Sequence, residues 1–305
     1  MQPGLLSIVG MGRSGSTYLE LCVAERFGGL AVGELPGIWG ALSRPNMLCS
    51  CGEPAKRCPF WANVIRHYPR ILDPHLIETM QLMNMQLLPI RRLGTWALLW
   101  LRQPFGLLPP QVAQYQDEMR MLHQALLASA TEHDYQVVVE SSKHPLWYHL
   151  ALTGGCFEGF AQSDAWRVVR DPRAVVYSLA RPKFEQTSAG AQVIQRRYSP
   201  SRAIPYWLAM NVGGDIATPR ATPIVRYEDL GDESYIAIME GSGYRRITKE
   251  SASPGHQLVG NPSRQSTSGQ KPFQLDERWK GEQASWGTRL SWKLLRPFLR
   301  RYGYE

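Results

Sequence analysis

Three clusters in this sequence have residue types and spacings suited to a charged ligand. The first is Gly10-Met11-Gly12-Arg13-Ser14-Gly15-Ser16-Thr17. It follows an apolar run, Leu5 to Val9, and precedes a helical pattern. Glycines turn backbone N–H groups inward, and the helix N-terminus adds partial positive charge, so the loop is well placed to cradle an anion, the alternative being a Gly-rich turn with no ligand. A nucleoside-triphosphate loop, G-x4-G-K-S/T, shares Gly10, Gly15 and Thr17 but needs lysine where this chain has Ser16. That lysine contacts the β- and γ-phosphates. Here the positive charge lies earlier, on Arg13. No strand-end Asp for Mg²⁺ follows the next apolar run, which ends Glu140-Ser141-Ser142-Lys143. The loop suits a phosphate-like group better than Mg-ATP.

The second cluster is Arg170-Asp171-Pro172, with Ser178 two helical turns beyond Asp171. Asp is a good N-cap and Pro suits the first helical position, so Arg170 stands at the mouth of a helix that can hold a second anion. A structural Arg170–Asp171 ion pair is the alternative for this cluster alone. Two anion sites at neighbouring strand ends fit a nucleotide phosphorylated at both its 5′ and 3′ positions. The third cluster is Cys49-Ser50-Cys51-Gly52, continuing to Cys58-Pro59-Phe60-Trp61. Zinc sites usually take four ligands, and the nearest further candidate, His67, lies nine residues past Cys58. A reduced, packed role is favoured over a local disulfide and, last, a metal.

The elements that position these clusters read as α/β. Residues 5–9, 137–139, 165–169 and 224–225 are apolar runs with the character of buried strands, and helical spacing of Leu19, Cys22, Val23 and Phe27 marks a helix over 17–27. Strands separated by helices indicate a P-loop-like parallel β-sheet flanked by helices, with ligands beyond the strands' carboxyl ends. Residues 40–70 look irregular. Residues 74–130 read as helices broken by Pro89, Pro104, Pro109 and Pro110. Residues 249–272, rich in Ser, Gly and Pro, look like a surface loop. Glu140 reads as a sheet-end residue paired with an arginine.

The chain has 305 residues, 44% hydrophobic and 20% charged, an ordinary globular composition. Residues 1–305 read as one domain, with about 36–130 a helical insertion. The formal charge of +8 favours an anionic partner, but no basic run signals nucleic acid. No signal peptide is evident, and Leu93 to Leu108 is too short and interrupted to span a bilayer. A cytoplasmic location is expected, and the odd count of five cysteines argues against a disulfide framework.

Gly12-Arg13-Ser14-Gly15-Ser16-Thr17-Tyr18 resembles the 5′-phosphosulfate loop of the PAPS-dependent sulfotransferases, although their usual first residue is Pro. Val168 to Ser178 resembles their 3′-phosphate motif, R-D-P-R-x-x-x-x-S. Bacterial members often also carry a C-G-x5-C-P-F-W segment, an R-Y-E-D-L strand end and a late H-x-x-x-G-N-P-x-R segment. Here these are Cys51 to Trp61, Arg226 to Leu230 and His256 to Arg264. The resemblance implies transfer of a sulfuryl group from 3′-phosphoadenosine 5′-phosphosulfate (PAPS), with adenosine 3′,5′-bisphosphate (PAP) as product and no metal required.

It implies roles as well. Arg13, Ser14, Gly15, Ser16 and Thr17 would hold the 5′-phosphosulfate. Arg170 and Ser178 would hold the 3′-phosphate, with Arg264 a further donor. Lys143 would reach the bridging oxygen or the sulfuryl group. Glu34, after the first helix as in tyrosylprotein sulfotransferases, is the first choice of base. His144 is the second, although cytosolic members carry Lys-x-His where this chain has Lys143-His144. The acceptor site falls to residues 36–130 and 180–207, whose aromatics include Trp39, Trp61, Trp96, Trp100, Tyr198, Tyr206 and Trp207; most of these are expected to be core. Residues 181–202 could form a lid, and Arg196 and Arg197 read as a solvated pair. A small-molecule or carbohydrate hydroxyl, or an amine, is the expected acceptor, and a homo-oligomer is compatible. The rival readings are a P-loop small-molecule kinase and a non-catalytic nucleotide-binding module.

Overall fold

Apolar residues at alternate positions place β1, Gly4–Gly10, at the centre of the molecule. Leu5 and Val9 point into one core and Leu6 and Ile8 into the other, as the two-residue repeat of a strand requires. The computed structural model describes residues 2–100, 109–181, 184–186, 192–194, 197–247, 255–260, 273–281 and 286–304. The other sheet strands are β2, Gly29–Gly33, β3, Val137–Lys143, β4, Ser163–Val169, and, after a small antiparallel pair of β5, Phe184–Gln186, and β6, Gln192–Ile194, β7, Ile224–Arg226. The five-stranded sheet has the order β2-β3-β1-β4-β7 and every pairing in it is parallel.

One face is covered by α1, Ser16–Arg26, and α10, Tyr235–Gly241, through Leu19, Val23 and Met239. The other carries the larger core, which includes residues of α2, Ile38–Leu42, α3, Pro59–His67, α4, Pro74–Leu87, α5, Leu93–Trp100, α6, Pro110–Glu132, α7, Pro145–Thr153, α8, Pro172–Ala180, α9, Pro200–Ala217, and α11, Trp286–Leu299. The helix starts follow local chemistry. Asp73 accepts from the His75 N–H at 2.8 Å with Pro74 beginning α4, and Asp171 accepts from the Arg173 N–H at 2.8 Å with Pro172 beginning α8.

The fold differs from the sequence reading in three places. β2 lies between α1 and Glu34, so Glu34 ends a strand. The 40–70 segment is only partly irregular, because α3 starts at Pro59. The described part of the 249–272 loop, 255–260, is not laid over the surface. The His256 N–H donates to the Ala31 carbonyl at 2.8 Å and Leu258 is fully buried. The aromatic prediction holds for Trp39, Trp61 and Trp207, which are buried in the core, whereas Trp100 is exposed. Residues 101–108, and nine of the residues 181–202 including Arg196, lie outside the described residues; Arg197 is exposed.

Candidate active site at the carboxyl ends of the strands

From β1 the chain runs to one side of the sheet, to β2; from β4 it runs to the other, to β7. A crevice opens where such neighbours part, and the two predicted anion clusters stand there. In the first loop Gly15 caps α1 with φ +83°, and a Cβ there would fall 2.6 Å from the Tyr227 ring. Only glycine fits on both counts. Gly15 has no side chain with which to cap α1, and uncapped N–H groups at a helix start suit an anionic ligand. Arg13 is itself held at φ +77°, a conformation a non-glycine residue adopts only under constraint from its surroundings. Ser14, Ser16 and Thr17 are buried around the turn, with Ser14 Oγ donating to the Met11 carbonyl at 2.5 Å.

Arg170 leaves β4 only 5% exposed. Its Nη1 donates to the Arg13 carbonyl at 3.0 Å, and its guanidinium lies 3.9 Å from the centre of the Tyr227 ring. Among the described residues its buried Nε has no hydrogen-bond partner, an orphan that an anion would satisfy. Asp276 Oδ2 stands 3.7 Å from the guanidinium. Asp171 is paired with Arg173, not with Arg170. Ser178 is buried on α8. Arg264 lies outside the described residues.

Lys143 ends β3 beside Val9, with φ +66°. Its Nζ lies 2.5 Å from Glu34 Oε1, with the lysine side chain 12% exposed. Two of the four described non-glycine residues with positive φ are thus Arg13 and Lys143, the cations for which the family resemblance implies a place at the sulfuryl end. The structure brings Glu34 and Lys143 together. His144 is occupied differently: its Nδ1 accepts from the Leu146 N–H at 3.2 Å as the cap of α7. Burial lowers its pKa to about 4, against the opposing influence of a Leu88 backbone contact, so the imidazole is neutral near pH 7. Glu140 has hydroxyl and indole partners where an arginine was expected: Ser7 at 2.7 Å, Ser142 at 2.5 Å and Trp147 Nε1 at 3.4 Å.

The sequence reading missed Glu20, Tyr227 and Asp276. Glu20 is completely buried on α1 and links the end of β2 to β3 and to the 255–260 segment. It accepts from the Gly33 N–H, from Ser141 Oγ and from Gln257 Nε2, each at 2.6 Å. An acid one position after Leu19, beside Cys22 and Val23 on the apolar pattern of α1, is the available signal. Burial pushes its pKa up to about 7, against the pull of those donors. A protonated Glu20 facing the flipped Gln257 amide would also satisfy Gln257 Oε1, which is otherwise buried without a partner.

The pH consequence has a definite sign. Below about 4.5 the carboxyl is protonated in both states. From there to about 7 the folded chain keeps a proton that the unfolded chain has lost, so stability falls as pH rises, by on the order of 3 kcal/mol. Glu20→Gln cannot ionise and is expected to flatten that decline in denaturant melts run at about pH 5 and pH 7.5. Parallel wild-type and variant profiles would show that Glu20 does not titrate in this window.

No family model and no curated relative matches the chain. Among solved structures it is similar to the sulfotransferase domain from the curacin biosynthetic pathway, at 17% identity and a TM-score of 0.51, over 96% of this chain and 98% of that one. It also aligns with the sulfotransferase domain from the Synechococcus PCC 7002 olefin synthase, at 16% identity and a TM-score of 0.36, over 100% of this chain and 96% of that one. At such identities the likeness is one of fold, an α/β parallel sheet flanked by helices that this chain shares with a sulfotransferase domain.

Proposed function

We propose that the protein is a PAPS-dependent sulfotransferase that uses the crevice between β1 and β4 as its donor site. The observation that supports this reading is the contact between the two clusters that the sequence marks for anions. The buried Arg170, with its orphaned Nε, is hydrogen-bonded at 3.0 Å to the backbone of Arg13. A nucleotide bearing phosphate-like groups at both ends answers that spacing. The P-loop-like segment from Gly10 to Thr17 holds the 5′-phosphosulfate through Arg13, Ser14, Gly15, Ser16 and Thr17, and Arg170 and Ser178 hold the 3′-phosphate. Asp276 then gives way to the incoming anion.

Transfer needs positive groups where charge builds on the leaving oxygen, and a base for the acceptor proton. In the free protein Glu34 and Lys143 neutralise each other across 2.5 Å. With donor bound, Lys143 turns to the bridging oxygen and releases Glu34. Glu34 takes the proton as the acceptor oxygen or nitrogen forms its bond to sulfur. The bond from sulfur to the bridging oxygen breaks, and PAP leaves with its electron pair on the 5′-phosphate. The acceptor enters from the side of the 36–130 helices and α9. There Tyr198 and Tyr206 stack with ring centres 6.0 Å apart, and burial, with added repulsion from Tyr198 and Glu34, raises the Tyr206 pKa to about 12. The two stacked rings form a flat wall near Glu34, suited to a small molecule or a sugar.

A thermal-shift comparison tests the donor site. PAP without added metal, at about 100 times its Kd, is expected to stabilise the fold by about 2.7 kcal/mol. A shift with Mg-ATP alone would replace this reading with phosphoryl transfer.

A further inference from the structure

Cys49, Cys51, Cys58 and His256 bring their ligating atoms within 4.8 Å of one another. Cys58 Sγ lies 3.1 Å from His256 Nδ1, Cys49 Sγ lies 3.7 Å from the same nitrogen, and the Cys51 and Cys58 sulfurs are 3.7 Å apart. All three cysteines are free thiols. With bonds of about 2.3 Å to sulfur and about 2.0 Å to nitrogen, the ligands of a tetrahedral zinc stand roughly 3.5–3.8 Å apart. The cluster already has nearly those dimensions.

The fourth ligand comes from far along the chain, 198 residues after Cys58. His67, the nearest candidate by sequence, is turned to Glu132 Oε1 at 2.7 Å.

The surrounding chain holds this arrangement. The Cys49 N–H donates to the Glu53 carbonyl and the Gly52 N–H to the Cys49 carbonyl, each at 2.9 Å, and Gly52 takes φ +93°, closing a tight turn that carries Cys49 and Cys51. Cys58 is the cap residue before α3, and Phe60 and Trp61 in its first turn fix the histidine. Phe60 stacks on the His256 ring with centres 5.4 Å apart, and Trp61 Nε1 donates to the His256 carbonyl at 2.5 Å. Ser50 and Gln257 complete the join: the Ser50 N–H donates to the Gln257 carbonyl at 3.0 Å, and the Gln257 N–H to Ser50 Oγ at 2.9 Å.

We propose that Cys49, Cys51, Cys58 and His256 bind one structural zinc ion as a closed Cys3His site. Three sulfurs and one imidazole, largely buried, are the donor set of a structural zinc, and a filled tetrahedron leaves no position for a substrate. On binding, the thiols release their protons to solvent and the thiolates bond to the metal, leaving a net charge of −1 and no redox change. The ion ties the Cys49–Cys58 turn to the 255–260 segment. That segment supports the candidate base, because the Glu34 N–H donates to the Val259 carbonyl at 3.1 Å and Gln257 binds Glu20. The site therefore braces Glu34 from behind, and it stands whether or not the crevice binds PAPS.

The test is elemental analysis of the full chain, purified without a metal-binding tag, under reducing conditions and without added metal. About one zinc per chain is expected, lost on Cys58→Ser or His256→Ala substitution together with a lower Tm. Should those variants fail to fold, Co(II) replaces zinc in the wild-type chain. Tetrahedral thiolate coordination gives visible d–d bands and sulfur-to-cobalt charge transfer. Trace zinc together with an octahedral Co(II) spectrum would overturn the proposal. So would a Cys51–Cys58 disulfide found by non-reducing peptide mapping of the chain as isolated.

Discussion

Lys143→Ala is expected to lower turnover with PAPS by about 100- to 1,000-fold, the usual cost of removing one group that stabilises charge in a transition state. PAP affinity should change far less, because the 3′-phosphate and the loop N–H groups remain. Glu34→Gln is expected to lose about 100- to 10,000-fold, the range for a general base. The two residues share one contact at 2.5 Å, so their losses are not expected to add: the double variant should be little worse than the poorer single one. Initial-rate kinetics with a PAP-release assay, on variants whose fold is verified by their PAP thermal shift, checks this. Full activity in Lys143→Ala would remove it from the mechanism, and multiplied losses in the double variant would separate its role from that of Glu34.

Arg170→Ala should have the largest effect on binding. A charge-assisted hydrogen bond to phosphate from a buried guanidinium contributes about 3 kcal/mol, or roughly 100-fold in Kd. The loss should be confined to nucleotides with a 3′-phosphate: affinity for adenosine 5′-phosphosulfate, which lacks one, should move only a few-fold. Part of that smaller effect is structural, since Arg170 also holds the Arg13 carbonyl and packs on Tyr227. Equal losses for both nucleotides would mean that Arg170 only shapes the loop. Lys is not expected to replace it, because the planar guanidinium serves the Arg13 carbonyl and the Tyr227 ring and, on the proposed reading, would serve an anion at the same time.

The parts legible in the sequence are those fixed by local chemistry. An apolar run, then glycine, then a hydroxyl-rich helix start gave the first loop its place. Asp171-Pro172 announced a capped helix, and Arg170 stands where that reading put it. What stayed hidden depends on distant partners. β2 is only Gly-Leu-Ala-Val-Gly, too short to show a period, and its strand character comes from parallel pairing with β3. The task of Glu20 is invisible until Gly33, Ser141 and Gln257 fold around it. The reach of Lys143 to Glu34 requires two strands adjacent in space and distant in sequence. His256 shows the same limit: Cys49, Cys51 and Cys58 form a visible cluster, but its fourth member arrives only when the 255–260 segment lies against Ala31. The sequence spacing that pointed to His67 counted residues along a chain that turns away.

The two-ended anion site is tested most directly by calorimetric titration of the wild-type chain, without added divalent metal, with PAP and with adenosine 5′-phosphosulfate. PAP is expected to bind in a ratio of one per chain, at least about 100-fold more tightly than the nucleotide without a 3′-phosphate, corresponding to about 2.7 kcal/mol. Equal affinities, or no binding of PAP, would contradict the assignment of Arg170 and the Arg13 loop as one donor site.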